Sequence, residues 1–445
     1  CSTVIQDAQH TRLERERKTL IFFQLRGQRV GRRMMPRMID LPQKLVVEIF
    51  KRVPITSLKA VRSTCKTWEA ITKSWVVLGA AARHEFLLGF VKMNNKVYSL
   101  RYHHQGDVSV QQVDLPNQLE ISSMVYHCDG LVLCVAKDLS KLVVWNPYLC
   151  QSRWIGPRGE SFNASDIYAI GYSEDKNKKR DHKILRFVDD SCVVGPVISV
   201  FRCEIYEMSS SDSSWRVLEE GKPEWEIDVH QRGASVNGNT YFFAHDRFDD
   251  IEPDADGSIP VDGVEDFLLC FDFTKERFGP RLPLPFHSYN EDCVTLSSFL
   301  RGDDDEQLAA LFGGCESDFF EIWVTLSVEP NHVSWTKFLV VETGGPIFTR
   351  LNFKLSTYFG GSFFVDEENK VAVVFELDSY ISISAPPPSQ HTAFVFGQAG
   401  YIHSVNLGQA LKLQHLSPYS GKHCQALLPP LVCSSSFRPT LVQVS

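Results

Sequence analysis

From Phe86 to about Val405 the sequence repeats one pattern, in which two short β-rich runs flank a polar turn. The clearest example joins residues 127–135 to residues 141–147 through a Lys-Asp-Leu-Ser turn, after which Asn146-Pro147 redirects the chain. Short runs rich in branched and aromatic residues between turn residues indicate antiparallel hairpins. Paired strands with turns about every 8–12 residues predict an all-β barrel, sandwich or propeller.

Length and glycine spacing favour one of these three folds. A sandwich of about 360 residues would be unusually large, whereas a radial arrangement of small sheets extends easily. Two double glycines, Gly313-Gly314 and Gly360-Gly361, lie 47 residues apart (314 to 361). This spacing is near the kelch repeat of about 50 residues. We therefore expect a degenerate kelch-like β-propeller, whose blade number the sequence does not reveal.

Residues 38–80 have a different character and predict three short helices. Pro42 suits a first helical turn, where its missing N–H would have no partner. Pro54 should end the first helix, because it disfavours the helical conformation of the preceding residue. Ser63 or Thr64 can cap the third helix. One apolar stripe is expected on the first helix, made by Leu45, Val46, Ile49 and Phe50.

This helical segment predicts a partner protein. About 40 residues bury too little surface to fold well alone. The segment also has more apolar side chains than three short helices can hide from water. We infer that a partner covers the remainder. The alternative is an amphipathic helical hairpin that caps the β domain.

The helical segment resembles an F-box of the plant family that pairs an F-box with an F-box-associated β domain. The matching positions are Leu41, Pro42, Leu45, Glu48, Ile49, Val53, Pro54, Ser57, Leu58, Val61, Arg62, Cys65, Lys66 and Trp68. The sequence departs from relatives at Gln43-Lys44, where an acid usually precedes the leucine. Four short motifs resemble landmarks of the associated domain, in the expected order: residues 128–131, 144–147, 281–285 and 400–401.

The resemblance implies a substrate receptor of an SCF-type cullin-RING ubiquitin ligase, without catalytic activity of its own. The F-box would bind a Skp-type adaptor, and through it a cullin, while the β domain binds a target protein. The implied adaptor contacts are Leu41, Pro42, Leu45, Ile49, Val53, Pro54, Leu58, Val61, Cys65 and Trp68. The alternative function is an interaction scaffold that binds the adaptor without delivering a substrate.

Charge divides the chain into segments. Residues 1–37 carry a net charge of +6 and residues 38–80 carry +4, which leaves −18 for the rest of a chain whose total is −8. We expect residues 1–37 to be a disordered basic extension, or a stretch before a natural start near Met34, Met35 or Met38. The functional alternative is a basic targeting segment. Residues 86–410 should form the β domain, and residues 411–445 a C-terminal segment that could complete it. The acidic main body disfavours nucleic acid as a partner.

Composition also bears on the cellular location. No apolar run approaches the roughly 18 residues that a membrane-spanning helix needs, so we expect no membrane association. The twelve cysteines contain no Cys-x-x-Cys, and several, such as Cys134 and Cys270, lie within apolar runs. Buried free thiols have this pattern. It predicts a reducing compartment, the cytoplasm or the nucleus.

Motifs for chemistry are missing from the sequence. It contains no nucleophile elbow, phosphate-binding loop or zinc-binding RING pattern, so we expect no catalytic residues, metal or cofactor. The acidic loop at residues 252–259 begins like a calcium-binding loop, but Gly263 stands where the closing glutamate would be. We expect acidic loops to dock a basic segment of the target through Asp254, Asp256, Asp303, Asp304 and Asp305. The alternative is that these loops are solvated and have no role.

Overall fold

The computed structural model contains two compact units, Cys1–Ile49 and Phe50–Ser445. The description below covers residues 41–50, 61, 63–72, 87–102, 108–113, 119–159, 162–189, 201–209, 214–218, 221–229, 231–247, 264–288, 292–302, 305–314, 317–343, 362–378, 389–416, 423–432, 440 and 442–444.

Two helices are described, α1 (Gln43–Phe50) and α2 (Lys66–Thr72). Helix α1 begins directly after Pro42, whose carbonyl accepts a hydrogen bond from the Val46 N–H at 3.2 Å. The Thr64 hydroxyl was a predicted cap for the last helix, but it donates to the Val61 carbonyl at 2.6 Å. Most of the predicted middle helix lies outside the described residues, although Val61 is helical.

The rest of the described chain is β structure with 27 strands. They are β1 (Leu87–Met93), β2 (Lys96–Tyr102), β3 (Val108–Val113), β4 (Ile121–Cys128), β5 (Leu131–Ala136), β6 (Leu142–Asn146), β7 (Gln151–Ile155), β8 (Ile167–Glu174), β9 (Arg180–Asp189), β10 (Phe201–Glu207), β11 (Trp215–Leu218), β12 (Trp225–Glu226), β13 (Ala234–Val236), β14 (Asn239–Asp246), β15 (Asp266–Asp272), β16 (Arg277–Leu282), β17 (Cys293–Arg301), β18 (Asp305–Gly313), β19 (Phe319–Glu329), β20 (His332–Glu342), β21 (Ser362–Asp366), β22 (Val371–Asp378), β23 (Gln390–Gly397), β24 (Gly400–Gln409), β25 (Lys412–Leu416), β26 (His423–Leu427) and β27 (Leu431–Val432).

These strands form six antiparallel sheets and one separate hairpin within the described ranges. Blade 1 has the order β27-β1-β2-β3, and blades 2, 3, 5 and 6 are β4–β7, β8–β11, β17–β20 and β21–β24. In blade 4, β12 and β13 both pair with β14, and β15 and β16 follow. The separate hairpin is β25-β26.

Apolar side chains between neighbouring sheets close the ring. Each of six hydrophobic clusters joins two adjacent blades, in the order 1–2, 2–3, 3–4, 4–5, 5–6 and 6–1. In the last cluster Val91 and Val432 of blade 1 pack with Phe364 and Phe375 of blade 6. The architecture is therefore a six-bladed β-propeller, and the predicted fold class is confirmed.

Blade 1 is assembled from both ends of the ring. Its first strand, β27, pairs with β1 through Val91–Val432 and Lys92–Leu431. The other three strands come from residues 87–113. Residues beyond 410 thus supply β27, the first strand of blade 1.

The glycine spacing used to predict a kelch-like period does not mark a blade repeat. Gly313 is the last residue of β18, the second strand of blade 5, whereas β21, the first strand of blade 6, begins at Ser362. Second strands of successive blades begin between 44 residues (87 to 131) and 66 residues (305 to 371) apart. Loops of unequal length therefore hide the repeat in the sequence.

The ring has two ends, which we name by their turns. The lower face carries the β4–β5, β8–β9, β13–β14, β17–β18 and β21–β22 turns, and the upper face is the opposite end. Contacts join these turns from blade to blade: Arg180 with Asp129 at 2.6 Å, Tyr172 N–H with the Gly238 carbonyl at 3.0 Å, Asn237 N–H with Glu306 at 2.8 Å, and Arg301 with Glu367 at 2.9 Å. Polar contacts thus link the lower-face turns of blades 2 to 6.

Candidate functional site

Helix α1 carries two adjacent apolar rows with different burial. Val46 and Phe50 are 3% and 1% exposed, whereas Leu45 and Ile49 are 52% and 38% exposed. Both pairs have the i, i+4 spacing that places side chains next to each other on one helical face. The single stripe predicted from the sequence is therefore a buried row beside an exposed row, and the exposed row is available to a partner.

The last residue of α1 packs against α2. The rings of Phe50 and Trp68 meet edge to face, with centroids 5.4 Å apart and an angle of 77° between their planes. Such aromatic pairs contribute about 0.5–1.5 kcal/mol beyond the area that they bury. Trp68 is half-buried, so this predicted adaptor contact also has a structural role within the helical region.

The remaining predicted adaptor contacts divide by position. Pro42 is exposed, and Leu41, Val61 and Cys65 are half-buried. Val53, Pro54 and Leu58 lie outside the described residues. Within the described part, the exposed apolar surface of α1 centres on Leu45 and Ile49.

The end of α2 contacts the propeller. Ile71 and Thr72 are buried, and the Thr72 hydroxyl donates to the Trp68 carbonyl at 2.9 Å. The Thr72 carbonyl accepts a hydrogen bond from the hydroxyl of Tyr148, which is 1% exposed. Tyr148 follows β6, whose Trp145 pairs with Val132 beside the β4–β5 turn. Helix α2 therefore ends on the lower face of blade 2.

Of the predicted target-binding residues the structure describes only Asp305, because Asp254, Asp256, Asp303 and Asp304 lie outside the described residues. Asp305 is the exposed first residue of β18, and its carboxylate accepts hydrogen bonds from the Gln307 amide at 2.9 Å. It precedes Glu306, which contacts Asn237 in the β13–β14 turn. Asp305 therefore lies on the lower face.

The other acidic stretch leaves the sheet at the opposite end. The connection that contains Asp254 and Asp256 joins the end of β14 to the start of β15, where His245 pairs with Asp266. The eight residues of β14 separate this end from the β13–β14 turn. At about 3.3 Å per residue, that strand is roughly 25 Å long. The two acidic stretches thus depart from opposite faces and do not form one docking surface at their points of attachment.

The described upper end of blade 4 holds paired charges. The Arg281 guanidinium contacts Asp246 at 2.7 Å and Glu265 at 3.1 Å. Asp266 accepts hydrogen bonds from His287 at 2.7 Å and from the Ser288 hydroxyl at 2.8 Å. These pairs hold the start of β15 in place at the base of the acidic connection.

The central channel is narrow and polar. A cavity of about 20 Å³ is lined by His127, Arg232, Ser235, Ser297, Ser298 and Ser362, among others, which is room for about one water molecule. Arg232 crosses the channel, donating to the Ser362 hydroxyl at 2.8 Å and to the Val432 carbonyl at 3.4 Å. This cavity is thus too small for a peptide or a metabolite.

Two buried titratable groups of blade 2 are held in their neutral forms. Burial lowers the pKa of His127 to about 4, and the Gly130 N–H donates to its Nε2 at 3.1 Å. Burial raises the pKa of the Cys134 thiol to about 12. A neutral acceptor histidine and a protonated thiol serve packing better than acid–base or nucleophilic chemistry.

Two further features bear on the predicted chemistry and location. In the part of the chain that the structure describes, no group of three or more metal-ligating side chains is close enough to hold an ion, and no helix is long and apolar enough to cross a membrane. Seven cysteines within the described residues form no disulfide bond, and five of them are buried: Cys128, Cys134, Cys203, Cys270 and Cys293.

Sequence reasoning missed Asn146 and Tyr148 as contact residues. Asn146 was noticed only as part of the turn after a strand, and Tyr148 was not noticed at all. Their contacts with Thr440 and Thr72 join positions 76 or more apart in the chain. No local pattern marks such contacts.

Comparison with known families assigns both regions. Residues 38–77 match the F-box domain, and residues 88–444 match the F-box associated beta propeller domain. The second match covers most of the chain and includes β27.

Two relatives match most of this chain. An F-box/kelch-repeat protein of Arabidopsis thaliana is 50% identical over 415 residues, covering 89% of this chain and 90% of its own. A second F-box/kelch-repeat protein of that plant is 44% identical over 428 residues, covering 92% and 97%. Among solved structures, the β-propeller domain of Myceliophteria thermophila Cps50 (Swd1) aligns at 9% identity over 74% of this chain and 88% of its own, with a TM-score of 0.36; the fold assignment does not depend on it.

Both regions, their order and the relatives along nearly the full length agree with the resemblance noted in the sequence. The chain belongs to the family of F-box proteins that carry an F-box-associated β-propeller domain.

Proposed function

We propose that this protein is the substrate-recognition subunit of an SCF-type cullin-RING ubiquitin ligase. F-box domains generally bind Skp-type adaptors, and here the F-box would bind the adaptor and, through it, the cullin. The propeller would bind the target protein. The observation that carries the proposal is the exposed pair Leu45 and Ile49 on α1, beside the buried pair Val46 and Phe50, within a matched F-box.

In this role the protein performs no chemistry itself. Ubiquitin transfer needs a conjugating enzyme and a platform for it, and both would come from the assembly that the adaptor recruits. The receptor contributes proximity, because it holds a lysine of the target near the charged conjugating enzyme and so raises the effective concentration. The neutral His127 and the protonated Cys134 agree with a binding role.

We assign target binding to the upper face of the propeller. Helix α2 ends on the lower face, at Tyr148, so the upper face is the end that this contact leaves open. The connection with Asp254 and Asp256 departs from the upper face of blade 4, whereas Asp303, Asp304 and Asp305 belong to a lower-face turn. Among the acidic residues, those of the β14–β15 connection are therefore our proposed docking site for a basic segment of the target.

The proposal includes the domain division and the location. Residues 38–80 act as the adaptor-binding domain, and residues 86–410 together with the C-terminal segment act as the target-binding domain. The buried cysteines suit a reducing compartment, the cytoplasm or the nucleus.

Binding of a purified Skp-type adaptor tests the proposal. The double variant Leu45→Ala/Ile49→Ala removes the exposed row of α1 and leaves Val46 and Phe50 in place. Because residues at the centre of an interface can contribute about 2 kcal/mol or more to binding, we expect the pair together to contribute at least that much. The adaptor affinity should then fall at least about 30-fold in calorimetry, since about 1.4 kcal/mol is a factor of ten. The thermal melting temperature should change little, since both side chains are already exposed.

A matched control variant removes two similarly exposed apolar side chains from the propeller. Leu326 and Ile402 are 57% and 53% exposed on strands of blades 5 and 6, and Leu326→Ala/Ile402→Ala should bind the adaptor like the wild type. Equal binding by wild type and the Leu45→Ala/Ile49→Ala variant would rule out this adaptor site.

A further inference from the structure

The β6–β7 turn on the lower face of blade 2 contacts two distant parts of the chain. It runs from Asn146, the last residue of β6, to Gln151, the first residue of β7. On one side the Tyr148 hydroxyl donates to the carbonyl of Thr72 at the end of α2. Tyr148 is 1% exposed, so this hydrogen bond is shielded from water.

On its other side the turn contacts the C-terminal segment. The Asn146 side-chain amide donates to the carbonyls of Thr440 and Val442, at 3.1 and 2.8 Å. The Gln151 side-chain oxygen accepts from the Val444 N–H at 3.4 Å. Val444 is 1% exposed and packs in the cluster between blades 2 and 3. The C-terminal segment is therefore fixed to this turn by both hydrogen bonds and apolar contact.

The chemistry of residue 146 suits these contacts in particular. An asparagine side chain offers two N–H donors and one carbonyl acceptor. Both donors face backbone carbonyls, and the acceptor receives the Leu149 N–H at 3.0 Å, inside the same turn. Asn146 is fully buried, so each of these groups would lose a partner if the side chain changed. One side chain thus couples the C-terminal segment to the turn that presents Tyr148.

The covalent connection alone does not fix α2 on the propeller. Residues 73–86 link Thr72 to the start of β1. Fourteen residues can span up to about 50 Å when extended, so a chain of that length permits many orientations. Within the described residues, the hydrogen bond from Tyr148 to the Thr72 carbonyl joins α2 to the ring.

We propose that the β6–β7 turn is a clamp that holds α2 on the propeller, with the C-terminal segment 440–444 as its brace. Tyr148 and Asn146 are positioning residues in this proposal. The inference rests on the proposed function, because a ligase receptor must present its target in one orientation relative to the adaptor-binding helices. A rigid clamp would restrict which lysines reach the conjugating enzyme.

Hydrogen exchange in the full chain, measured both without and with the adaptor, tests the clamp. Tyr148→Phe removes one hydroxyl and keeps the ring. We expect the amides of α2 to exchange about 3- to 10-fold faster, as follows from the loss of one net hydrogen bond. Tyr168→Phe is the matched control, because Tyr168 is also 1% exposed and its hydroxyl bonds Asp166 at 3.0 Å in blade 3. The control should leave exchange in α2 unchanged, and unchanged exchange in the Tyr148→Phe protein would overturn the clamp.

The brace has its own variant. Asn146→Asp keeps the shape but directs a carboxylate oxygen at two backbone carbonyls, so it should release the C-terminal segment. We expect faster exchange at the amides of Val442 and Val444 and also in α2. Faster exchange at the C-terminal segment alone, with α2 unaffected, would show that the segment is not the brace.

The consequence for ubiquitin transfer separates this inference from the proposed function. In an assembly reconstituted with adaptor, cullin and RING subunit, ubiquitin attached to the propeller's own lysines can be mapped by mass spectrometry. Tyr148→Phe should keep the adaptor affinity of the wild type but spread ubiquitin over more lysines, whereas Tyr168→Phe should not. An identical lysine pattern in all three proteins would contradict the positioning role. A wild-type chain that fails to bind the adaptor would instead contradict the proposed function, and the exchange result would still decide whether the clamp exists.

Discussion

At the scale of single residues, Lys92 stands out because it is a cation inside the ring. It lies on β1 opposite Leu431 of β27 and is 1% exposed. Burial, with a further contribution from the charge of Arg232, lowers the pKa of Lys92 to about 7. The ordinary pKa of a lysine, 10.5, applies in the unfolded chain. Between pH 7 and pH 10.5 the unfolded chain therefore binds more protons at this side chain than the folded chain does.

This difference predicts how stability depends on pH. Stability rises with pH wherever the unfolded state binds more protons than the folded state. Lys92 should therefore lower the free energy of unfolding most below pH 7, and this destabilisation should decrease from pH 7 to about pH 10. Lys92→Met should therefore stabilise the protein at pH 7 by up to a few kcal/mol, since each pKa unit corresponds to about 1.4 kcal/mol. The gain should shrink towards pH 10. Urea denaturation of wild type and variant at the two pH values measures this gain. The same difference in stability between the two proteins at both pH values would show that burial does not lower the pKa of Lys92.

Residue roles were only partly readable from the sequence. The apolar character of Leu45, Val46, Ile49 and Phe50 was evident, but which row is buried depends on what packs against α1, and both rows have similar hydrophobicity. The roles of Asn146 and Tyr148 depend on partners at Thr440, Val442 and Thr72. Contacts between such distant positions leave no periodic signal in the chain.

At the scale of elements, the local hairpins were predictable from the sequence, but the closure of the propeller ring by β27 was not. The β5–β6 hairpin follows directly from two apolar runs around a polar turn, and the structure has it with Leu133 opposite Val144. Strand β27 has only two residues and pairs with β1, whose partners Val91 and Lys92 lie about 340 positions earlier. A strand this short has no alternation to detect. The unequal loops likewise concealed that the blades number six.

The β14–β15 connection carries an element-scale prediction. Asp254→Asn with Asp256→Asn should weaken capture of the target more at low salt than at high salt, because salt already screens long-range attraction. Asp303→Asn with Asp304→Asn and Asp305→Asn removes one charge more, but from the lower face, and should affect capture less. The amount of captured target at two ionic strengths measures both. A larger effect from the lower-face variant would place the docking surface there instead.

At the scale of the whole molecule, the two regions matter only together. In our proposal the F-box presents Leu45 and Ile49 to an adaptor, and the propeller offers an upper face away from the Tyr148 contact. The proposed clamp at the β6–β7 turn keeps α2 in place. A scaffold would bind the adaptor and a second protein without any change in that protein. A receptor differs from it in one respect, because the captured protein becomes ubiquitylated.

The most direct test compares capture with ubiquitylation in cells. Wild type and the Leu45→Ala/Ile49→Ala variant are each expressed with a proximity-labelling enzyme, and ubiquitin attachments on the labelled proteins are quantified by mass spectrometry. The receptor account predicts at least one protein that both forms capture but that carries additional ubiquitin only with the wild type. If every protein captured by both forms carries the same amount of ubiquitin in both samples, the protein is not a substrate receptor of a ubiquitin ligase.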